Sequence, residues 1–450
     1  MKKKFFSSIL VVFCCVFSLF ARTLTLDEAL ELCIENNPDL KKQRLSLEDA
    51  RRRNNNMWNK FLPSLSAGGS YTNSHDFSES SNWNWGVSAG ASLSFSFSTS
   101  SEMQLLNLNY QSSLLSYENL LQTTKANIST SFYSLIAEQK NLEILLDSQK
   151  LAKEVYEQTL KNYRSGLSSE LDMLNSKYSY LSIEPQVQEA RSSFLSNLGD
   201  FALSLGITDV RDLTLQGELN SQKVNLPSPP EIVSTYLEGR YDVKAADVSL
   251  KQAKLNKWTT VSGNWLPSLS FSQKLTLSEN GAASGTAIGN SGAGISGAFT
   301  ASVSVPLSGL IPGSAESLNV KTQDDNVKTA EITASETRKQ AKNDILTKFS
   351  NIERLWNSLE VAKMNESISK RSYELSTEGY NAGLVSQTDL ESSRQKYVTS
   401  QQTVLQSQIS YLSSLYSAAS SINLSIEDFY KTFASSELTG ASGANNTNGN

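Results

Sequence analysis

The chain has 450 residues, of which 39% are hydrophobic, and a formal net charge of -5 at pH 7. Soluble globular domains usually contain about 45–50% apolar residues, so this composition favours thin walls of packed elements over one thick core. The acidic balance and the absence of a basic stripe argue against a nucleic-acid partner.

Residues 1–21 predict a secretory signal peptide. Three lysines, at positions 2 to 4, precede a largely apolar run over 5–20, and Ala21 is a possible last residue. No later run reaches the 18 or so apolar residues that a membrane helix needs. If the exported chain enters a membrane, it must therefore do so with β-strands.

The first half of the chain, residues 22–206, predicts one helix, two strands and two long helices. Thr25 and Asp27 favour a helix start near residue 26, and Pro38 is expected to kink that helix. The predicted elements are helix 22–61, strands 64–72 and 83–98, and helices 101–162 and 168–205.

Strand 83–98 alternates strictly, with apolar or aromatic residues at odd positions and Asn, Ser or Gly at even positions. Such a strand has one apolar and one hydroxyl-rich face. From Trp85 to Phe95 is about 33 Å along the strand, or about 25 Å along the normal at a tilt of about 40°, the height of the lipid-facing band of an outer-membrane barrel. Taken alone, the strand favours the other interpretation, a soluble antiparallel strand with one buried face.

Helix 101–162 contains neither proline nor glycine, and apolar residues recur in it every seven positions, which is typical of supercoiled helices. Its length is about 90 Å at about 1.5 Å per residue. Because that is roughly three hydrocarbon thicknesses, the helices must project from any membrane that the strands occupy. The heptad residues are Leu114, Leu121, Ile128, Leu135 and Leu142.

The second half repeats the first with a period slightly over 200 residues. Residues 35–41 align with 238–244, and 61–66 align with 265–270. The remaining predicted segments are connector 207–230, a second repeat over 231–420 with helix 231–265, strands 268–278 and 298–307 and helices 315–380 and 385–418, and a C-terminal segment with a disordered tail over 421–450.

Four strands are too few to close a barrel, since about eight is the smallest number observed. An open sheet in a bilayer would leave unpaired strand edges in hydrocarbon, at a high free-energy cost. Strands of this kind in a membrane therefore require an oligomer, and the strand number alone permits a dimer, a trimer or a tetramer.

Catalytic and metal-binding patterns are missing from the sequence. His75 is the only histidine, it lies in a polar loop, and no group of ligand-type residues accompanies it. No nucleophile set, paired-carboxylate motif or phosphate-binding loop is recognisable. The sequence predicts no enzyme, no cofactor and no metal site.

Each pair of long helices is joined by a short turn, Gly166-Leu167 in the first half and Gly383-Leu384 in the second. Glycine is expected there because the turn needs a positive φ. The leucine that follows is apolar at an otherwise polar tip. It is either a staple that packs onto its own hairpin or a contact for another protein.

Asp172 and Asp389 stand six residues after the two glycines, on the first turns of the returning helices. A carboxylate there stabilises the helix dipole, and this alone accounts for them. In a symmetric oligomer they would also form rings of like charge, which select cations and raise one another's pKa.

Several features together resemble the TolC-like outer-membrane efflux and secretion channels. They are the doubled layout, the helix start over 24–30 with Asn-Asn-Pro-Asp-Leu at 36–40, the Leu-Pro-Ser-Leu-Ser strand starts and the two Tyr-x-x-Gly-Leu turns. The resemblance covers nearly all of the chain from Thr23 to about Ser420.

Similarity to this family implies an internally duplicated α+β membrane protein. Its long antiparallel helical hairpins form a periplasmic α-barrel, and four strands per chain contribute to a twelve-stranded outer-membrane β-barrel in a homotrimer. The implied partners are outer-membrane lipid, a periplasmic adaptor protein and an inner-membrane pump or ABC exporter.

The resemblance also implies roles for particular residues. Asp172 and Asp389 would lie at the periplasmic entrance, and Asp389 matches the entrance aspartate ring of the family. Where some members have an arginine and a second aspartate, this chain has Val385 and Ser392. The adaptor-docking tips would be Gly166, Leu167, Gly383 and Leu384, and the lipid-facing aromatic girdle Trp83, Trp85, Phe95 and Phe97.

The leading hypothesis is a passive outer-membrane exit duct of a tripartite efflux pump or a type I secretion system. The alternative is a periplasmic coiled-coil scaffold whose strands form a soluble sandwich. Three sister strands, a leader and helices much longer than a bilayer favour the duct.

Overall fold

The computed structural model of the chain describes residues 22–75, 81–207, 213–282 and 294–433. The predicted signal peptide and the tail beyond residue 433 lie outside the described residues. In chain order the helices are α1 (Leu26–Asn36), α2 (Pro38–Asn55), α3 (Ser98–Arg164), α4 (Glu170–Ser204), α5 (Pro229–Tyr236), α6 (Tyr241–Trp265), α7 (Ala315–Asn381), α8 (Gln387–Ser421) and α9 (Ile426–Phe433). The strands are β1 (Arg22–Leu24), β2 (Ser64–His75), β3 (Ser81–Ser96), β4 (Leu213–Leu215), β5 (Ser268–Ala282) and β6 (Gly294–Ser304).

The helix predicted over 22–61 is divided in the structure. α1 begins with a capping box, in which Thr25 and Glu28 exchange side-chain and backbone hydrogen bonds. It stops before Asn37, whose ψ of 124° is extended, because a residue that precedes proline disfavours the helical conformation. The prediction of one kinked helix is therefore wrong, and a short 3-10 helix, Met57–Phe61, follows α2.

The helix predicted over 231–265 breaks at Arg240, which aligns with Asn37 in the internal repeat and is also extended, with ψ 144°. No proline follows it. Instead the buried Arg240 guanidinium donates to Asp242 at 2.7 Å and to Asp344 of α7 at 2.9 Å. Both repeats thus have a helix break at the aligned position. In the first repeat the proline after Asn37 causes it, and in the second the ion pairs of Arg240 stabilise it.

Two segments predicted without regular structure contain some. Connector 207–230 includes β4, which pairs in parallel with β1, and its last two residues begin α5 with Pro229 in the first turn. The predicted C-terminal segment includes α9, whose Phe429 and Phe433 rings lie 6.0 and 6.2 Å from the ring of Phe349. In both segments contacts with distant residues order the chain.

The strands differ from their predicted bounds mainly at their ends. β3 stops at Ser96, and α3 begins at Ser98, whose Oγ lies 2.6 Å from Oγ of Ser96. β6 is Gly294–Ser304 where 298–307 was predicted. It ends before Pro306, which has no N–H to donate to a strand ladder.

β2, β3, β5 and β6 form one antiparallel sheet in that order. Its register aligns the apolar rows: Ala89 lies opposite Ala67 and Leu275, and Leu93 lies opposite Phe271. Because side chains alternate between faces, a slip of one residue would move a whole row to the wrong face. All four strands therefore share one mainly apolar face, in which Gln273 of β5 is a polar exception, and one polar face.

The described residues fall into two compact units, and each takes segments from both sequence repeats. Unit 1 lies within 1–37, 125–222 and 354–416, and unit 2 within 38–124, 223–353 and 417–433. In unit 1 a buried cluster joins α3, α4 and α8, and the sheet belongs to unit 2. The members of that cluster are Leu145, Ala152, Ile183, Val187 and Val398.

Candidate functional sites at the helix turns and the sheet

The turns that join the long helices have matching backbones. Gly166 after α3 has φ 73° and Gly383 after α7 has φ 77°, in the left-handed region that favours glycine. The N–H groups of Leu167 and Leu384 each donate to the carbonyl five residues earlier, at 2.8 Å. This 6→1 bond is that of the Schellman motif, which closes the end of a helix.

Leu167 and Leu384 do not pack onto their own hairpins, since 80% and 84% of their surfaces are exposed. An apolar residue at this place in a Schellman motif commonly contacts the preceding turn. The exposure of both leucines excludes such a staple. Two equivalent apolar side chains are therefore available for contact with another molecule.

Asp172 caps the first turn of α4. Its Oδ2 accepts from Oγ of Ser169 at 2.6 Å, and its N–H donates to the same Oγ at 3.1 Å. The hydrogen bond from Ser169 lowers the pKa of Asp172 below the ordinary 3.8, so the carboxylate is charged at neutral pH. The raised pKa expected of a carboxylate ring requires several chains side by side, and the single chain has the opposite shift.

Asp389 has the same arrangement at the start of α8. Its Oδ2 accepts from Oγ of Ser386 at 2.7 Å, and its N–H donates to that Oγ at 3.1 Å. Both aspartates thus have a helix-capping role that a Ser-x-x-Asp spacing predicts. A contribution of these carboxylates to a charged channel entrance would be additional to their capping role.

A groove in unit 1 runs between the two turns. Gln387 in its lining is only 6% exposed, and its Oε1 has no hydrogen-bond partner among the described residues. Asp172 therefore lies in the same groove as residues of the second turn. Leu384 and Asp389 do not line this groove, so the two aspartates do not share it. The lining includes Gly166, Leu167, Asp172, Gly383, Val385 and Gln387.

Of the two departures from the family pattern, the structure explains Val385 but not Ser392. Val385 packs over Gly379, where an added Cβ would lie 2.6 Å from Cγ2 of Val385, so an apolar contact takes the place of an arginine. Ser392 is exposed, and nothing in the structure explains it.

A buried arginine near the second turn was not predicted from the sequence. Arg394 of α8 is 4% exposed. Its guanidinium donates to Glu391 one turn earlier, with an Nε–Oε2 distance of 3.1 Å, and also to Oγ of Ser148 in α3. The charge is therefore paired inside unit 1 and holds α8 against α3. A Glu-x-x-Arg spacing on the predicted helix was its only signal in the sequence.

The polar face of the sheet consists mainly of small hydroxyl and glycine residues, with Lys274 as the charged exception among the described side chains. Oγ atoms of directly paired serines lie 2.7 Å apart at Ser64–Ser92 and at Ser270–Ser302. The opposite face exposes large apolar side chains that no other element in the described part of the chain covers. Examples are Leu65 at 80% exposure, Leu275 at 50% and Phe299 at 68%. A face of this size is typical of a surface that meets lipid or another protein.

Aromatic rings run across the apolar face. The Phe95 ring stacks on Phe61 at 6.1 Å and meets Phe271 edge-on at 6.4 Å, and Phe271 stacks on Phe299 at 6.5 Å. This band extends over three strands and the 3-10 helix before β2. Phe95 was predicted from the sequence as a girdle residue and the other three rings were not, because only the tertiary structure brings the four together.

The other predicted girdle residues are placed as follows. Trp85 lies opposite Tyr71, which is 71% exposed, on the apolar face. Trp83 pairs through its backbone with Asn73, and its side chain is outside the described part of the chain. Phe97 lies between β3 and α3 and is 60% exposed.

Two further properties concern the described residues only. No helix among them is long and apolar enough to cross a bilayer. The same residues contain no group of three or more His, Cys, Asp or Glu side chains placed to hold a metal ion. His75 lies at the end of β2, and the loop after it is outside the described residues.

Solved structures of several outer-membrane channels have a similar fold. The chain superposes on the Campylobacter jejuni CmeC channel with a TM-score of 0.71 at 20% identity, covering 90% of this chain and 88% of that one. On the open state of Neisseria gonorrhoeae MtrE it superposes with a TM-score of 0.68 at 17% identity, covering 91% of this chain and 94% of that one. On Vibrio cholerae VceC it superposes with a TM-score of 0.70 at 15% identity, covering 89% of this chain and 96% of that one. Curated protein sequences provide no match.

A family model described as outer membrane efflux protein matches residues 29–206 and 232–423. The gap between the two matches, 207–231, coincides with the predicted connector 207–230 to within one residue. The matches confirm the resemblance and the fold class inferred from the sequence. The chain therefore belongs to the outer membrane efflux protein family, and it is a transport channel of the outer membrane.

Proposed function

We propose that three copies of the chain join their sheets into one twelve-stranded outer-membrane barrel, with the apolar face toward lipid and the polar face toward a wet lumen. The observation that carries this proposal is the register, which keeps the two faces separate across all four strands. β2 and β6 lie at the two ends of the strand order. Pairing each β2 with the β6 of a neighbouring chain removes every free edge.

The long helices of the three copies then form a periplasmic conduit whose turns bind an adaptor protein. The exposure of Leu167 and Leu384 at two backbone-equivalent turns supports this contact. The adaptor couples the channel to an inner-membrane pump or an ABC exporter, in a tripartite efflux pump or a type I secretion system. The channel itself performs no chemistry and moves its cargo passively.

The test of the assembly is electrophoresis of unboiled detergent extracts together with planar-bilayer recording. We expect a heat-modifiable trimer in the membrane fraction and stepwise, cation-selective conductance from the purified protein. A soluble, non-conducting monomer would contradict the proposal and support the periplasmic scaffold.

The entrance role of Asp172 and Asp389 is tested by changing both to asparagine. Asparagine keeps an oxygen that accepts the capping hydrogen bond, so the helix starts remain while the charge is lost. We expect block of the wild-type current by Mg²⁺ added on the periplasmic side to weaken on the order of tenfold, since a carboxylate ring attracts cations.

The matched control is Asp325→Asn, because Asp325 lies on α7 and, among the described residues, pairs with Lys328 one turn away. This variant should keep the wild-type block. Equal Mg²⁺ block in the wild type and in the Asp172, Asp389 double variant would show that the aspartates only cap their helices.

A further inference from the structure

One charged side chain interrupts the polar face of the sheet. Lys274 in β5 lies in register between Gly90 of β3 and Ala298 of β6, with Ser272 and Thr276 beyond it on its own strand. The other described side chains in the polar rows belong to serine, threonine, glycine or alanine. Lys274 is exposed and has no ion pair among the described residues.

The position of Lys274 along the strand requires water around its ammonium group. It is the seventh residue of the fifteen in β5, about 20 Å from the start of the strand at about 3.3 Å per residue. A lysine side chain is too short to reach the end of the strand from there, so it has no route to a membrane interface. Its flanking residues, glycine and alanine, provide neither a carboxylate nor bulk that would cover it.

We propose that Lys274 forms an anion-binding ring in the lumen of the assembled barrel, where it attracts solutes that carry carboxylate or phosphate groups. The inference rests on the proposed trimer, which places three copies of the ammonium group at one level. Rings of lysine or arginine select anions in pores. The charge is opposite to that of Asp172 and Asp389, which the proposed function places at the periplasmic entrance.

The ring acts over a short range. The Debye length is about 10 Å at 0.1 M salt and about 3 Å at 1 M. Small hydroxyl residues around Lys274 leave its field unopposed at low salt. The effect on permeation is therefore strong in dilute salt and weak in concentrated salt, which separates it from a change in pore width.

The experiment uses Lys274→Gln in the full-length trimer in planar bilayers, with inorganic tripolyphosphate as the anionic probe. Tripolyphosphate should block the wild-type current, and Lys274→Gln should weaken that block by at least about tenfold in 0.1 M KCl but much less in 1 M KCl. In a KCl gradient the potassium-to-chloride permeability ratio should rise about twofold or more in Lys274→Gln. Lys274→Glu should raise it further, and Lys274→Arg should leave it unchanged.

The matched control is Lys60→Gln, because Lys60 lies outside the sheet and its charge is paired with Glu102 at 2.7 Å. This variant should keep the wild-type block. A conducting trimer in which Lys274→Gln and the wild type are blocked equally would overturn the anion ring and leave the channel proposal intact. Failure of the wild type to form a conducting trimer would instead overturn the channel proposal on which the ring depends.

Discussion

Replacing Leu167 and Leu384 together with serine should abolish adaptor-dependent export while the channel still assembles. The two side chains are 80% and 84% exposed, so their truncation removes few contacts within the chain. Burial of a leucine against a partner contributes about 1.5–3 kcal/mol. The two leucines of one copy then contribute at least about 3 kcal/mol, which is roughly a hundredfold in affinity for the adaptor.

The measurement compares export by cells in which this chain is the only channel of its family with single-channel conductance of the same purified variant. Export should fall to the level of cells without the channel, and conductance should match the wild type. Leu195→Ser is the matched control, because Leu195 is 58% exposed on α4 away from the turns. Normal export by the double variant would remove the leucines from the docking surface.

Introducing arginine at two adjacent positions of β3 should have opposite consequences for assembly. Ala89 belongs to the apolar row with Ala67 and Leu275, and Ser88 belongs to the polar row with Gly68 and Thr276. An arginine on the lipid face near the bilayer midplane costs about 2–4 kcal/mol per copy. Ala89→Arg should therefore prevent formation of the heat-modifiable trimer.

Ser88→Arg is the matched control, since it adds the same side chain at the neighbouring residue. Gly68 opposite Ser88 leaves room for it, and the lumen supplies water. This variant should assemble and show a lower single-channel conductance. A trimer formed by Ala89→Arg but not by Ser88→Arg would mean that the faces of the sheet are reversed.

The sequence alone determined the features that depend on neighbouring residues. Alternation over 83–98 marks a two-faced strand because strand side chains alternate between faces. Glycine followed by leucine after a long helical pattern marks each turn because glycine adopts positive φ without strain. The recurrence of these signals in the same order in both halves also indicated the duplicated architecture, since a long ordered series of motifs is far more specific than any one of them.

Only the tertiary structure decided which distant residues meet. The band of Phe61, Phe95, Phe271 and Phe299 and the isolation of Lys274 follow from the register, which a single strand does not specify. The break at Arg240 forms without a proline because carboxylates of α6 and α7 hold its guanidinium.

The exposure of Leu167 and Leu384 was likewise a tertiary property. An apolar residue at a turn either packs or projects, according to the groups that surround it in space, and its sequence neighbours are compatible with both. Packing also mixes segments of the two repeats within each compact unit. Short-range sequence patterns therefore specified the helices, the turns and the amphipathic strands. Contacts between distant segments decided which surfaces remain exposed to lipid, solutes and partners.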